Sequence, residues 1–193
     1  MSTRGVATRG RIVEAAAALM FEAGAIPTSL DDVLTASGTG KSQLYHYFDD
    51  KADLVSAVIE HQIQGVLNSQ AALLAEVSTL KQLQAWAKAI VDYQREQSGV
   101  GGCPIGSLAG ELSDRSEIYR KRILSGFTRW QKLISDALRR LQDAGEISRR
   151  APVEELAIAV LTALQGGLLM TQTTRDVVHL RLALDMAIRN IDS

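Results

Sequence analysis

One stretch constrains the fold of this chain more than any other: two brief helical patterns joined by a glycine turn within Thr28–Lys51. The inward positions of the two patterns are apolar: Leu30, Val33, Leu34, Leu44 and Phe48. Between them, Gly38 is free to take the positive φ that a tight turn requires. A short helix, a tight turn and a second short helix with a polar outer face form the arrangement of a DNA-reading helix-turn-helix.

The rest of the chain is also helical in pattern. Apolar residues spaced at i, i+3, i+4 and i+7 predict a first helix over 8–23. Further helices are predicted at about 51–77, 79–97, 104–112, 116–144, 152–173 and 175–191. We therefore predict an all-α protein of nine helices, with a helix-turn-helix domain at 1–51 and a helical body at 52–193.

Composition limits the class of protein. With 46% apolar and 22% charged residues, the chain can bury a sizeable core. Cys103 is the single cysteine, which excludes an intrachain disulfide and fits a reducing compartment. The N-terminal residues lack the apolar run of a signal peptide, and the longest apolar stretch, 156–170, is shorter than a membrane span. We expect a soluble, cytoplasmic protein with no membrane partner.

The charge balance does not resemble that of a general nucleic-acid binder. The net charge is −1, and the first 51 residues carry five Lys or Arg against six Asp or Glu. The positive charge is instead concentrated at the N-terminus, because Arg4, Arg9 and Arg11 all precede the first acid, Glu14. This balance predicts weak non-specific DNA binding.

The last two helices have the pattern of an interface between subunits. The stretch 156–170 is apolar on more than one face and contains Gly166-Gly167, a pair that favours close approach of another backbone. The final helix has two apolar faces, which indicates two partners. We predict a homodimeric four-helix bundle, with internal packing as the alternative. The predicted interface residues are Leu161, Leu164, Gly167, Val177, Leu180, Leu184, Ala187 and Ile191.

The sequence gives little support for nucleotide binding, metal binding or catalysis. Gly40-Lys41-Ser42 resembles the end of a phosphate-binding loop, but Thr35 stands where that motif needs glycine and no strand precedes it. The three histidines lack metal-ligand spacing, and no nucleophile–base pattern is visible. We therefore expect no catalytic residue, no metal and no cofactor. Cys103 is either a reactive sensor near a helix N-terminus or a small residue at a turn.

The N-terminal residues resemble one known family. An Ile12–Gly24 helix, the Thr28-Ser29 cap and GTGKSQLYHYFDDK, residues 38–51, are similar to the TetR family of bacterial transcriptional regulators. GCPIGSLAGEL, residues 102–112, resembles the LmrA/YxaF-type branch. Thr39 replaces the family's usual valine and Gly40 its usual serine cap, so Thr39 becomes a candidate contact residue.

The resemblance implies roles for individual residues. It places Tyr45 and Lys51 at phosphate-contacting positions, and Thr28 and Ser29 at a helix N-terminus suited to phosphate. Lys41, Ser42, Gln43 and His46 would face base edges or nearby phosphates, with Lys41 donating to guanine and Gln43 pairing with adenine. The full set of expected DNA contacts is Arg4, Arg9, Thr28, Ser29, Thr39, Lys41, Ser42, Gln43, Tyr45, His46, Tyr47 and Lys51.

By resemblance, the helical body binds a small effector as well as a second subunit. Few charged residues fall on its inward faces, so we expect a mostly apolar or aromatic ligand. The expected lining residues are Trp86, Tyr93, Cys103, Ile105, Leu108, Phe127, Trp130, Gln165 and Leu168. Each of them also fits a purely structural core role.

The sequence thus predicts a homodimeric repressor that binds a palindromic DNA operator and releases it when an effector binds. An activator, or a regulator without a ligand, would have the same fold. A helical scaffold or enzyme that does not bind DNA is the alternative from another class, supported by the low positive charge alone.

Overall fold

The computed structural model describes residues 3–192, and the side chains of residues 5–191. Over that range the chain forms nine α-helices and no strand. They are α1 Thr3–Ala23, α2 Leu30–Ser37, α3 Lys41–Tyr47, α4 Lys51–Leu74, α5 Leu80–Glu96, α6 Pro104–Leu112, α7 Glu117–Asp143, α8 Val153–Thr174 and α9 Val178–Arg189. The all-α prediction and the order of the helices are confirmed, and α1 begins five residues earlier than predicted.

The chain packs as two compact units. The head unit comprises the residues up to Val66 together with Pro104–Gly126, and the body unit comprises Leu67–Cys103 together with the residues from Phe127 onward. This division follows packing. The predicted functional boundary after residue 51 concerns which residues bind DNA, and it stays a prediction.

The head unit is organised around the apolar face of α1. Its core is formed by Phe48, just after α3, and by buried residues of α1, α3 and α4: Ile12, Val13, Ala16, Met20, Leu44, Leu54 and Ile59. Helix α7 packs closely on α4, because a Cβ added to Gly126 would lie 2.6 Å from Cγ1 of Ile63. A glycine is therefore required where these two helices meet.

In the body unit, α7 and α8 form an antiparallel hairpin. Arg139 forms an ion pair with Glu154, and the Gln142 amide donates to the carbonyl of Ala151 at 2.9 Å. The start of α5 is fixed to the loop between α7 and α8, since the Leu80 N–H donates to Glu146 at 3.0 Å. These contacts set the register of α5, α7 and α8.

Helices α8 and α9 cross at a glycine. A Cβ on Gly167 would lie 2.8 Å from Cα of Leu180, whereas nothing lies within 4 Å of the corresponding position on Gly166. The predicted close approach of a backbone is thus confirmed at Gly167, but the approaching helix belongs to the same chain.

The predicted interface list needs correction. Leu161, Leu164, Gly167, Leu180, Leu184 and Ile191 are buried within their own chain, and Val177 and Ala187 are partly buried. The inward face of each helix packs inside the subunit, so these six residues are not available to a partner. The exposed apolar residues of the two helices are instead Ile158, Leu169, Met170, Leu182 and Met186.

Helix α8 is longer than the apolar stretch suggested. Among the described residues, Val153–Thr174 is the one helix that is long and apolar enough to cross a membrane by length and composition. Only 39% of its most apolar 18-residue segment is buried inside the chain. Much of its apolar surface, including Ile158, Leu169 and Met170, is therefore exposed.

Candidate nucleic-acid interface and buried polar site

The start of α2 is fixed by a reciprocal cap. The Ser29 hydroxyl accepts from the Asp32 N–H at 3.1 Å, and the Asp32 carboxylate accepts from the Ser29 N–H at 2.9 Å. The Ser29 hydroxyl also donates to the same carboxylate at 2.6 Å. This side-chain hydrogen bond is the main reason that the pKa of Asp32 is lowered. The cap sets where the helix begins.

The turn between α2 and α3 depends on Gly38. This residue adopts φ 61° and ψ 31°, the left-handed conformation that the sequence predicted. The following Thr39 donates its N–H to the carbonyl of Leu34 at 3.3 Å, and its hydroxyl lies 2.7 Å from that of Ser37. Thr39 is only 8% exposed, so the prediction that it contacts DNA is corrected: its side chain packs within the turn.

Helix α3 carries several of the residues that were predicted to contact DNA. Leu44 and the following Phe48 are buried and anchor it, as expected. The exposed side chains are Lys41, Ser42, Gln43, Tyr45 and His46, and Tyr47 is partly exposed with its ring against that of His46. The Gln43 carbonyl oxygen accepts from the Gly40 N–H at 3.3 Å, so Gln43 also caps the helix.

The other predicted DNA residues have roles inside the head unit. Thr28 is buried and its hydroxyl donates to the carbonyl of Gly24 at 2.7 Å. Lys51 donates to the carbonyl of Ile26 at 2.6 Å, and the exposed Arg9 places its guanidinium 5.1 Å from the ring centroid of Phe48. The side chain of Arg4 lies outside the described residues.

One residue of the head unit had no predicted role. The Glu111 carboxylate, near the end of α6, accepts from the backbone N–H groups of Ala25 and Ile26 at 2.8 and 2.7 Å. Together with Lys51 it holds the turn between α1 and α2. The sequence signal was slight: one acid in an otherwise uncharged short helix.

The predicted effector residues are divided between the two units. Trp86, Cys103, Trp130 and Leu168 are buried in the body unit, where Phe127 and Gln165 are partly buried. Ile105 and Leu108 are buried too, but they belong to the head unit. Tyr93 was predicted to face inward and line the site, and this prediction is corrected because its side chain is 58% exposed. The inward face of α5 runs instead through Trp86, Ile90 and Gln94.

Four buried polar atoms in the described part of the body unit have no hydrogen-bond partner. They are Gln94 Oε1, Trp130 Nε1, Gln165 Nε2 and Thr171 Oγ1. By contrast, the other tryptophan, Trp86, donates to the Gln70 carbonyl at 3.0 Å. Since buried polar groups in proteins are nearly always paired, each of these four atoms is an exception that calls for an explanation. Gln94 and Thr171 were not predicted, although Gln94 is a polar residue on an apolar helix face.

Metal binding finds no site in the described structure. Over those residues, no three His, Cys, Asp or Glu side chains are close enough to hold an ion. Cys103 is buried in the body unit, and neither its sensor role nor its structural role is tested by this position.

Comparison with known proteins identifies both parts of the chain. Residues 12–58 match the family described as bacterial regulatory proteins, tetR family. Residues 79–187 match the tetracyclin repressor-like C-terminal domain. The two matches cover the helix-turn-helix and most of the helices that follow it.

Individual relatives agree with these matches. An HTH-type transcriptional regulator of Lactococcus lactis is 31% identical, over 93% of this chain and 90% of its own length. The transcriptional repressor DhaR of a Mycobacterium species is 25% identical, over 87% and 84%. LmrA of Bacillus subtilis, from the branch that the sequence resembled, is 25% identical over 88% of each chain.

The fold agrees as well. The structure of E. coli NemR in its reduced form superimposes with a TM-score of 0.85 at 21% identity, covering 96% of this chain and 98% of that one. These relatives are DNA-binding regulators and not enzymes, and family members bind DNA operators, typically as dimers with small-molecule effectors. The chain belongs to the TetR family of helix-turn-helix transcriptional regulators.

Proposed function

We propose that this regulator is a repressor that binds a palindromic operator as a homodimer and leaves it when an effector binds in the body unit. The observation that supports DNA binding is the exposed polar face of α3, which the buried Leu44 and Phe48 hold in place. Regulation of transcription follows from family membership. Repression, dimerisation and release by a ligand are the proposed steps.

The proposed base contacts come from the first turn of α3. Lys41, Ser42 and Gln43 are exposed there, and Lys41 carries the charge suited to guanine or to a nearby phosphate. Gln43 shares its carbonyl oxygen with the Gly40 N–H, so its amide N–H₂ is the group free to donate to a base acceptor. Tyr45 and His46 extend the exposed surface toward the phosphates on either side.

The proposed dimer surface follows the exposed face of α8. Ile158, Thr162, Gly166 and Leu169 lie along it at helical spacing, and all four are exposed. Leu182 and Met186 provide the exposed apolar face of α9. The two faces would form a four-helix bundle with those of a second subunit, and this would cover the apolar area of α8. Two α3 helices would then lie one DNA turn apart, roughly 34–36 Å.

The proposed effector site lies in the body unit, where unpaired polar atoms occur on α5, α7 and α8. The effector must bind the DNA-bound and DNA-free states unequally, or it cannot shift the equilibrium between them. The protein would act in the cytoplasm, where its operator is.

A gel-shift titration with DNA from upstream of the protein's own gene tests the proposal. We expect a sequence-specific, salt-sensitive complex with two subunits per operator, and transcription in vitro should fall when it forms. Absence of such a complex would count against regulation of the neighbouring genes. Increased transcription would show an activator instead.

A further inference from the structure

The register of the α7–α8 hairpin places two residues with unpaired atoms at similar levels along the two helices. Arg139 pairs with Glu154 across the hairpin. Trp130 lies nine residues before Arg139, and nine residues after Glu154 the chain reaches Ala163. Because both helices rise about 1.5 Å per residue, Trp130 lies level with Ala163 and within roughly one turn of Gln165.

Helix α5 carries a third unpaired atom, which lies beside the same half of α8. Just beyond its end, a Cβ on Gly99 would lie 3.1 Å from the carbonyl oxygen of Thr171, so these two residues are side by side. The chain folds back after α5, since the Gly99 N–H donates to the carbonyl of Gln94 at 2.9 Å, so Gln94 lies within about one turn of Gly99. Helices α5 and α8 run in the same direction, because Leu80 contacts Glu146 before α8 and Gly99 contacts Thr171 near its end. Gln94 therefore lies at a level between Gln165 and Thr171, which are about 9 Å apart along α8.

These atoms are poorly explained as parts of an ordinary core. Leaving a buried donor or acceptor unpaired is destabilising, and native proteins seldom do so. Gln94 is 4% exposed and Trp130 is 3% exposed, so bulk water does not reach either side chain freely. Three such atoms within about two helical turns, on three different helices, indicate an occupant that supplies their partners.

The surroundings define the charge of that occupant. The buried polar side chains described in the body unit are Gln70, Gln94, Ser135 and Thr171, and none of them is ionisable. An ionised ligand would be taken out of water without a counter-charge, which is strongly unfavourable. Because the indole of Trp130 can only donate, the ligand must carry an acceptor such as a carbonyl or hydroxyl oxygen.

We propose that the body unit binds an uncharged molecule with a carbonyl or hydroxyl oxygen that accepts from Trp130 and Gln165 and an O–H or N–H group that donates to Gln94, while its remaining surface is apolar. This inference rests on the proposed effector-released function and specifies the chemistry of the effector. It refines the expectation of a mostly apolar or aromatic ligand, because such a ligand would be recognised through the neutral polar groups that it carries.

Four probes of nearly equal shape test the predicted charge. Benzamide is neutral and polar, benzoate is anionic, benzamidinium is cationic and isopropylbenzene is neutral and apolar. In calorimetric titrations of the full-length protein, benzamide should bind at least about tenfold more tightly than the other three, one order of magnitude being 1.4 kcal/mol. Equal or tighter binding of either ion, or no binding of benzamide, would overturn the proposal.

A matched pair of glutamine variants tests the unpaired atoms. Gln94→Met removes an unpaired amide and should keep or raise Tm while weakening benzamide binding. Gln70→Met removes the partner of Trp86 and should lower Tm while leaving benzamide binding unchanged. A Gln94→Met protein that melts at lower temperature and still binds benzamide normally would show a structural role and refute the site.

The test separates this inference from the proposed function, because neither titration nor melting involves DNA. Preferential binding of benzamide supports the site whether or not the protein regulates its neighbouring genes. Conversely, operator binding with no preference among the four probes would leave the repressor proposal standing and reject the neutral effector.

Discussion

The carboxylate of Glu111 accepts a hydrogen bond from the backbone N–H of Ala25, 86 residues earlier in the chain, at 2.8 Å. Its second oxygen accepts from Ile26, whose carbonyl in turn accepts from Lys51. Helices α6 and α4 therefore both hold the turn that leads into the helix-turn-helix. Any movement of α6 within the head unit would act first on this turn.

Replacing Glu111 by Gln should loosen that turn. The amide presents N–H₂ to one of two backbone donors, so one partly buried or exposed hydrogen bond is lost and stability falls by about 0.5–1.5 kcal/mol. Hydrogen exchange at Ala25 and Ile26 should accelerate, and operator affinity should fall. Asp114→Asn, an exposed acid near α6, is the control. Unchanged exchange at both amides would show that the contact does not hold the turn.

Removing the Lys41 charge should weaken DNA binding. Lys41→Ala takes away an exposed cation at the start of α3 and should cost about 1–3 kcal/mol of operator affinity if it reads a base. A pure phosphate contact would instead weaken all sequences alike and reduce the salt slope by about one. Binding titrations at several salt concentrations distinguish the two. Lys81→Ala in the body unit should change neither affinity nor slope.

Much of this architecture could be predicted because helical periodicity records which residues are buried. Periodicity does not record what covers a buried face, and for that reason Leu180 and Leu184 were assigned to a partner when they pack inside their own chain. Thr39 was misassigned because a family substitution indicated contact, whereas its hydroxyl is paired with Ser37. Glu111 was missed because its partners are backbone groups distant in sequence, which no local pattern identifies.

Stability at acidic pH should depend on the Ser29–Asp32 cap. Hydrogen bonds from Ser29 lower the pKa of Asp32 below its ordinary 3.8, so the folded state favours the ionised carboxylate. This stabilisation is complete above the unfolded value and is lost as pH falls through the folded pKa. Ser29→Ala should therefore lower Tm at pH 7 and reduce its fall between about pH 5 and pH 2. Parallel melting curves for both proteins across that range would contradict this account.

Gly126 should not tolerate a side chain. An alanine Cβ would meet the buried Ile63 at 2.6 Å, so α7 or α4 must shift at a cost of about 1–3 kcal/mol. Gly110→Ala is the control, because nothing lies within 4 Å of its added Cβ and alanine favours the helix by about 0.5–1 kcal/mol. Chemical denaturation should rank the three proteins with Gly110→Ala most stable and Gly126→Ala least. A Gly126→Ala protein as stable as wild type would mean that α4 and α7 adjust freely.

The proposed dimer surface predicts which apolar residues can take a charge. Leu169, 62% exposed on α8, should lose its partner when changed to Glu, and sedimentation should then show folded monomers. Leu124→Glu, on an exposed site of α7, should leave the dimer intact. Leu184→Glu should instead unfold the chain, because that side chain is fully buried and an unpaired buried charge is strongly destabilising. A dimeric Leu169→Glu protein would reject this face, whereas a folded monomer formed by Leu184→Glu would reinstate the inward residues as the interface.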